Sequence, residues 1–167
     1  MKRKWSVKNI LKELISTLLL LFILSLVVNY IRKPEVNGDI YSLKLTDIYN
    51  KPLDMDKYKN RPLVVHFWAT WCPICKLEAS NIDSLSKKYN LLSIAVNSGS
   101  NKKIGDFMRE HNLNYRVVND NSGELSKEFG IEAYPSTLIY DRNGKLKFSE
   151  VGYTTTLGLQ ARIELSN

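Results

Sequence analysis

The cysteine pair constrains this chain most, because Cys72 and Cys75 are its only two cysteines and follow shortly after the apolar run 63–68. A strand that breaks into a helix at a C-x-x-C pair is typical of a dithiol redox site. Pro73 suits the first helical position, where its missing N–H costs nothing. Cys72 then takes the N-cap position, where unpaired backbone N–H groups and the helix dipole favour the thiolate. We therefore expect Cys72 to be the reactive thiol.

Two other uses of the cysteines are open. A structural zinc site normally needs four ligands, and only His66 and His111 are available to complete one. A purely structural disulfide is the second alternative, but a bridge across two residues closes a very short loop and removes little chain entropy. We adopt a redox-active pair, with no metal and no cofactor beyond the dithiol.

The helix that follows Cys72 indicates how the two thiols differ. At 100° per residue, one face of this helix carries Cys75, Glu78, Ile82, Leu85 and Tyr89. The last three of these are typical core residues, so Cys75 and Glu78 should also point inward. Cys72 falls at the edge of this face, nearer solvent. The pattern predicts an accessible attacking thiol and a shielded resolving thiol, as exchange through a mixed disulfide requires.

The front of the chain has the pattern of a membrane anchor. Residues 1–13 carry five Lys or Arg, and residues 14–31 are apolar and uncharged. This length is at the short end for a membrane-spanning helix, and the basic flank favours a cytoplasmic N-terminus. A cleavable signal peptide is the alternative, but bulky residues fill 27–31, where small ones are expected. We predict a retained single-pass anchor in the cell (inner) membrane.

The remainder divides into a polar linker, residues 32–39, and one domain, residues 40–167. The whole chain has a net charge of +7, but the basic residues that flank the anchor account for most of it. The domain shows no basic cluster, so nucleic acid is a poor candidate partner. Strands alternate with helices after an initial strand over 40–45 and a turn at 49–52. The pattern predicts an α/β fold with a mixed sheet.

Four motifs, in order, resemble one known family. They are the hairpin signal at 45–52, the segment Phe67–Cys72, the continuation Cys75–Glu78 and the loop Tyr134–Thr137. Together they resemble the membrane-anchored thioredoxin-like proteins of bacterial envelopes, the TlpA/ResA/DsbE group. The resemblance covers about residues 39–160. It implies a thioredoxin fold, a mixed central sheet flanked by helices, with an N-terminal hairpin and a single transmembrane helix.

The resemblance also implies roles for individual residues. Pro135 corresponds to the cis-proline that faces the active site, and Tyr134 and Trp71 would line the groove where the partner's backbone docks. Glu78 matches an acidic position of the group and would relay protons. His66 stands where thioredoxin has a buried Asp, so it is either a proton shuttle or a neutral core histidine.

The sequence therefore predicts a protein disulfide oxidoreductase, with Cys72 attacking and Cys75 resolving. Its partners would be cysteine-containing exported proteins and a membrane or envelope redox partner, with the domain in the periplasm or outside the cell. The direction of electron flow is open, because Pro73 and Tyr134 depart from the commonest motif of the group. The alternatives are an envelope copper-binding protein or chaperone that uses the same cysteines, and a thiol peroxidase.

Overall fold

The structure, a computed structural model, describes residues 12–17, 19, 20, 23 and 40–166. The chain divides into two compact units, residues 1–33 and 34–167. Across the part of the chain that is described, no helix has the length and apolar character needed to cross a membrane. The flank 1–13 and the span 14–31 lie mostly outside the described residues, and the linker 32–39 lies wholly outside them.

A five-stranded mixed sheet forms the centre of the second unit. Its strands are β1 (Leu63–Trp68), β2 (Asn90–Val96), β3 (Val117–Asp120), β4 (Ser136–Tyr140) and β5 (Leu146–Val151). The spatial order is β3-β2-β1-β4-β5. Strand β1 runs parallel to β2 and antiparallel to β4. All six residues of β1 are buried, as expected for a central strand with both faces covered.

Helices and the N-terminal segment cover the two faces of this sheet. The helices are α1 (Pro73–Ser86), α2 (Asn101–Glu110), α3 (Glu124–Glu128) and α4 (Thr156–Leu165). Alternate residues of β1 point to opposite faces. Val64 packs with Ile82 of α1 and Ile163 of α4. Phe67, on the opposite face, packs with Phe129 just after α3, at 5.2 Å between ring centroids. The central strand is thus fixed on both sides.

The predicted strand over 40–45 is wrong. Residues Ile40–Ser42 form a short 3-10 helix, and Ile40 is buried in the core. The N-terminal hairpin is reduced to an isolated antiparallel bridge between Thr46 and Pro52. Asp47 holds the turn between them, because its side chain accepts hydrogen bonds from the backbone N–H groups of Tyr49 and Lys51. A hydrophobic alternation without a partner strand does not make a stable strand.

Candidate active site

The candidate site begins where β1 gives way to α1. Cys72 is the N-cap residue of α1, and Pro73 is its first helical residue. Cys72 and Cys75 form a disulfide, with their Cα atoms 5.3 Å apart. The backbone N–H of Cys75 donates a hydrogen bond to Sγ of Cys72 at 3.2 Å. The same contact, together with the helix dipole, would stabilise a thiolate at Cys72 once the disulfide is reduced.

The two cysteines differ in exposure less than the helical phase predicted. Cys72 is 5% exposed and Cys75 is 2% exposed. Both pack in one apolar cluster with Trp68 of β1 and with Ile104 of α2. The sulfur of Cys72 also lies 3.6 Å from the carbonyl oxygen of Tyr134, a residue 62 positions away. This long-range contact covers Cys72, and the local helix geometry cannot reveal it.

The loop before β4 forms one side of the site. The peptide bond between Tyr134 and Pro135 is cis. The ring of Tyr134 meets the ring of Trp71 edge to face, with centroids 5.9 Å apart. Trp71 is 55% exposed, and its Nε1–H donates to the carbonyl oxygen of Asn97 at 3.1 Å. Tyr134 and Trp71, both predicted to line a groove, therefore lie together beside the disulfide.

Glu78 lies on α1, one turn after Cys75, and is fully buried. Its Oε1 accepts a hydrogen bond from the backbone N–H of Thr154 at 2.8 Å. Its Oε2 has no hydrogen-bond partner among the described residues. Burial disfavours the carboxylate and raises the pKa of Glu78 to about 7, although the Thr154 N–H opposes this rise. A buried acid with a pKa near neutrality and a free oxygen is suited to accept or donate a proton.

His66 lies in the middle of β1 and is also buried. Its Nδ1 is 3.0 Å from Oγ1 of Thr137, its neighbour on β4. Burial disfavours the imidazolium and lowers the pKa of His66 to about 3. His66 is therefore neutral over the whole physiological range. Ser93 of β2 is paired with His66 across the sheet, and its hydroxyl accepts a hydrogen bond from Nε1–H of Trp68 at 2.8 Å.

Sequence reasoning missed the residues that hold these side chains. Thr154 lies 76 positions from Glu78, and Thr137 lies 71 positions from His66. No local pattern marks such partners, because only the pairing of β1 with β4 and the turn before α4 bring them close. The hydroxyl of Thr137 in a buried strand was an available signal, since a buried polar residue needs a partner.

The zinc alternative would need His66 and His111 as ligands beside the two cysteines. Across residues 40–166 and the described helical positions before them, no group of three or more His, Cys, Asp or Glu residues could hold a metal ion. His111 stacks on Phe107 of α2, with ring centroids 4.1 Å apart. Its Nδ1 lies 3.0 Å from the carbonyl oxygen of Phe107.

Known proteins share this fold and this sequence pattern. A family model described as Redoxin matches residues 34–162. A thioredoxin-like protein of Haemophilus influenzae is 27% identical over 159 residues, which cover 94% of this chain and 95% of that one. The thiol-disulfide oxidoreductase ResA of Bacillus thuringiensis subsp. konkukian is 24% identical over 118 residues, 68% of each chain.

Solved structures give the same picture for the fold. The crystal structure of a secreted Mycobacterium tuberculosis disulfide oxidoreductase, homologous to E. coli DsbE, matches with a TM-score of 0.66 and 22% identity. The match covers 75% of this chain and 96% of that one. The predicted thioredoxin fold, a mixed central sheet flanked by helices, is confirmed. So is the resemblance to the TlpA/ResA/DsbE group.

The buried carboxyl of Glu78 predicts a specific dependence of stability on pH. In the unfolded chain its pKa returns to 4.5, so between that value and about 7 the folded chain holds a proton that the unfolded chain has lost. The stabilisation present at low pH is therefore lost as pH rises through 7. The two pKa values differ by the equivalent of about 3 kcal/mol. We expect Glu78→Gln to gain about this much over wild type between pH 4.5 and pH 8 in urea unfolding of the oxidised protein.

A pH-independent difference between Glu78→Gln and wild type would contradict the raised pKa. Glu150→Gln is a suitable control, because Glu150 is a partly exposed carboxylate of the edge strand β5 that pairs with Arg162. That substitution removes a carboxyl group that water still reaches, so the difference in unfolding free energy from wild type should not grow as pH rises through 7.

The lowered pKa of His66 predicts how His66→Asn behaves in disulfide exchange. A group that titrates at about pH 3 does not change its charge between pH 5 and pH 8. The variant should lose about 1–3 kcal/mol of stability, because the hydrogen bond with Thr137 is disturbed in a buried position. Its exchange rate per folded molecule should keep the wild-type pH profile in stopped-flow measurements. A displaced profile would establish His66 as a proton shuttle.

Proposed function

The chain belongs to the Redoxin family, and we propose that it is a thiol:disulfide oxidoreductase that exchanges disulfides with cysteine-containing exported proteins. The observation that carries the proposal is the Cys72–Cys75 disulfide at the start of α1. The N–H of Cys75 supports the sulfur of Cys72 there, in the position where a thiolate is most stabilised.

The exchange proceeds through a mixed disulfide. A client thiolate attacks Sγ of Cys72, the Cys72–Cys75 bond breaks, and Cys75 leaves as a thiolate. A second client thiolate then attacks the client sulfur of the mixed disulfide, and Cys72 leaves in turn. The client gains a disulfide, and the enzyme keeps the two electrons as a dithiol. The same steps in reverse reduce a client disulfide, so the direction follows from the potentials of the partners.

Glu78 handles the proton of Cys75 in this scheme. It follows Cys75 by one helical turn, it is buried, and its pKa of about 7 lets it give a proton to the Cys75 thiolate that leaves and take that proton back in the reverse direction. We give His66 a positioning role through Thr137, because it stays neutral near pH 7.

The rim of the site receives the client. Trp71 and Tyr134 lie against each other beside the disulfide, and Pro135 follows at the start of β4. An extended client segment that runs along this loop would bring its cysteine to Cys72. The carbonyl oxygen of Tyr134, 3.6 Å from that sulfur, marks the side on which the client lies.

The enzyme acts outside the cytoplasm, held by a single membrane-spanning helix over residues 14–31. The five basic residues before this span support a cytoplasmic N-terminus, and the apolar composition of the span supports a retained anchor. Clients would then be exported proteins with cysteine pairs. A redox partner in the membrane or envelope would restore the oxidation state of Cys72 and Cys75 after each turnover.

One trapping experiment tests both parts of this proposal. In the full chain with Cys75→Ala, the resolving thiol is gone, so mixed disulfides at Cys72 should accumulate in the cells that produce the chain. We expect them in the membrane fraction, and we expect mass spectrometry to identify partners that carry export signals. The double variant Cys72→Ser, Cys75→Ala is the matched control and should trap none.

The outcomes separate the two parts of the proposal. If Cys75→Ala accumulates no more adducts than the double variant, the oxidoreductase function is wrong. If adducts form but the partners are cytoplasmic proteins, the function stands and the proposed location and topology are wrong.

A further inference from the structure

A cavity of about 350 Å³, with Tyr134 in its lining, has no part in the exchange scheme above. It lies between the segment around α3 and the loop that leads to Pro135. The side chains that matter here are those of Asn97, Ser122, Ser126, Lys127, Glu132 and Tyr134. Its volume falls in the range of pockets that bind ligands in proteins.

The cavity shares its wall with the redox site. Tyr134 lines the cavity and places its carbonyl oxygen 3.6 Å from Sγ of Cys72. Asn97 also lines it, and its carbonyl oxygen accepts the hydrogen bond from Trp71. Because consecutive Cα atoms are about 3.8 Å apart, a client whose cysteine reaches Cys72 would bring its next side chain to this wall.

The lining is polar and carries charges of both signs. Lys127 and Glu132 make no ion pair with any other residue that the structure describes. The hydroxyl of Ser126 donates to the carbonyl of Gly123 and keeps its lone pairs for a ligand. Ser122 adds an exposed hydroxyl. An apolar side chain in this cavity would displace water from these groups without replacing its hydrogen bonds.

We propose that this cavity binds the client side chain next to the reacting cysteine and selects a hydrogen-bonding side chain over an apolar one of the same size. The inference rests on the proposed function and makes it more specific, because it assigns a substrate class. Clients of this enzyme carry polar residues beside the cysteine that meets Cys72. The groove at Trp71 and Tyr134 holds the client backbone, and the cavity binds the side chain next to the reacting cysteine.

Asparagine and leucine are the appropriate pair for a test, because they have nearly the same shape. Two short peptides each carry one cysteine, flanked on both sides by asparagine or by leucine, with thionitrobenzoate disulfide-linked to the cysteine. The Cys72 thiolate of the reduced full-length protein attacks the peptide sulfur, the bond to thionitrobenzoate breaks, and that group leaves as a coloured thiolate. Cys75 then displaces the peptide as a thiolate and closes the Cys72–Cys75 disulfide. The second-order rate of colour release is the measurement.

We expect the asparagine peptide to react about tenfold faster than the leucine peptide, the ratio that corresponds to about one hydrogen bond, or about 1.4 kcal/mol. Ser122→Phe fills the cavity from its exposed edge and should bring the two rates within about twofold. Asn121→Phe places the same ring one residue away, outside the lining, and should keep the wild-type ratio. Glu132→Leu removes a polar group of the lining at an exposed position and should lower the ratio of the two peptide rates about threefold. This variant tests the cavity independently if Ser122→Phe does not fold.

The outcomes distinguish a failed subsite from a failed function. Equal rates for both peptides with wild type, or a tenfold ratio that survives in both Ser122→Phe and Glu132→Leu, would overturn the subsite while the oxidoreductase function stands. Colour release no faster than with Cys72→Ser would overturn the proposed function, and the subsite with it.

Discussion

The chemistry of this protein depends on one contact, the hydrogen bond from the N–H of Cys75 to the sulfur of Cys72. It exists because a buried strand ends just before a helix whose first residue is Pro73. The strand holds Cys72 in the extended conformation of an N-cap residue, and the helix presents its unpaired N–H groups to the sulfur. The redox site is therefore part of the fold itself. A chain that lost the junction of β1 and α1 would lose the N-cap position of Cys72 and, with it, the redox site.

The same buried interior affects two titratable groups in opposite directions. Burial disfavours whichever form carries charge, so it raises the pKa of Glu78 to about 7 and lowers that of His66 to about 3. Only Glu78 is thereby brought into the range where a group can exchange protons at neutral pH. Position in the sheet and helix, and not residue type, decides which of the two is suited to proton transfer, since an ordinary histidine would be the expected candidate.

Local sequence signals predicted most of this architecture. The helix after Cys72 was predicted to bury the face that carries Cys75, Glu78, Ile82 and Leu85, and all four are buried in α1. The apolar run 63–68 and the cysteine pair that follows it located the site. The strand expected over 40–45 failed, because alternation alone does not supply a partner strand. The contact between the carbonyl oxygen of Tyr134 and Sγ of Cys72 was not predicted, because the two residues are 62 positions apart and only the assembled sheet brings them together.

The most direct test of the account is the reactivity of the two thiols in the reduced protein. Iodoacetamide is added in brief pulses between pH 6 and pH 8, and mass spectrometry reads the label at each cysteine, with Cys75→Ala and Cys72→Ser as references for a single thiol. The N-cap geometry predicts that Cys72 is labelled at least about tenfold faster than Cys75 at the lower pH, because only its thiolate is stabilised there. Equal labelling of Cys72 and Cys75 across this range would contradict the central claim that the start of α1 creates the reactive thiol.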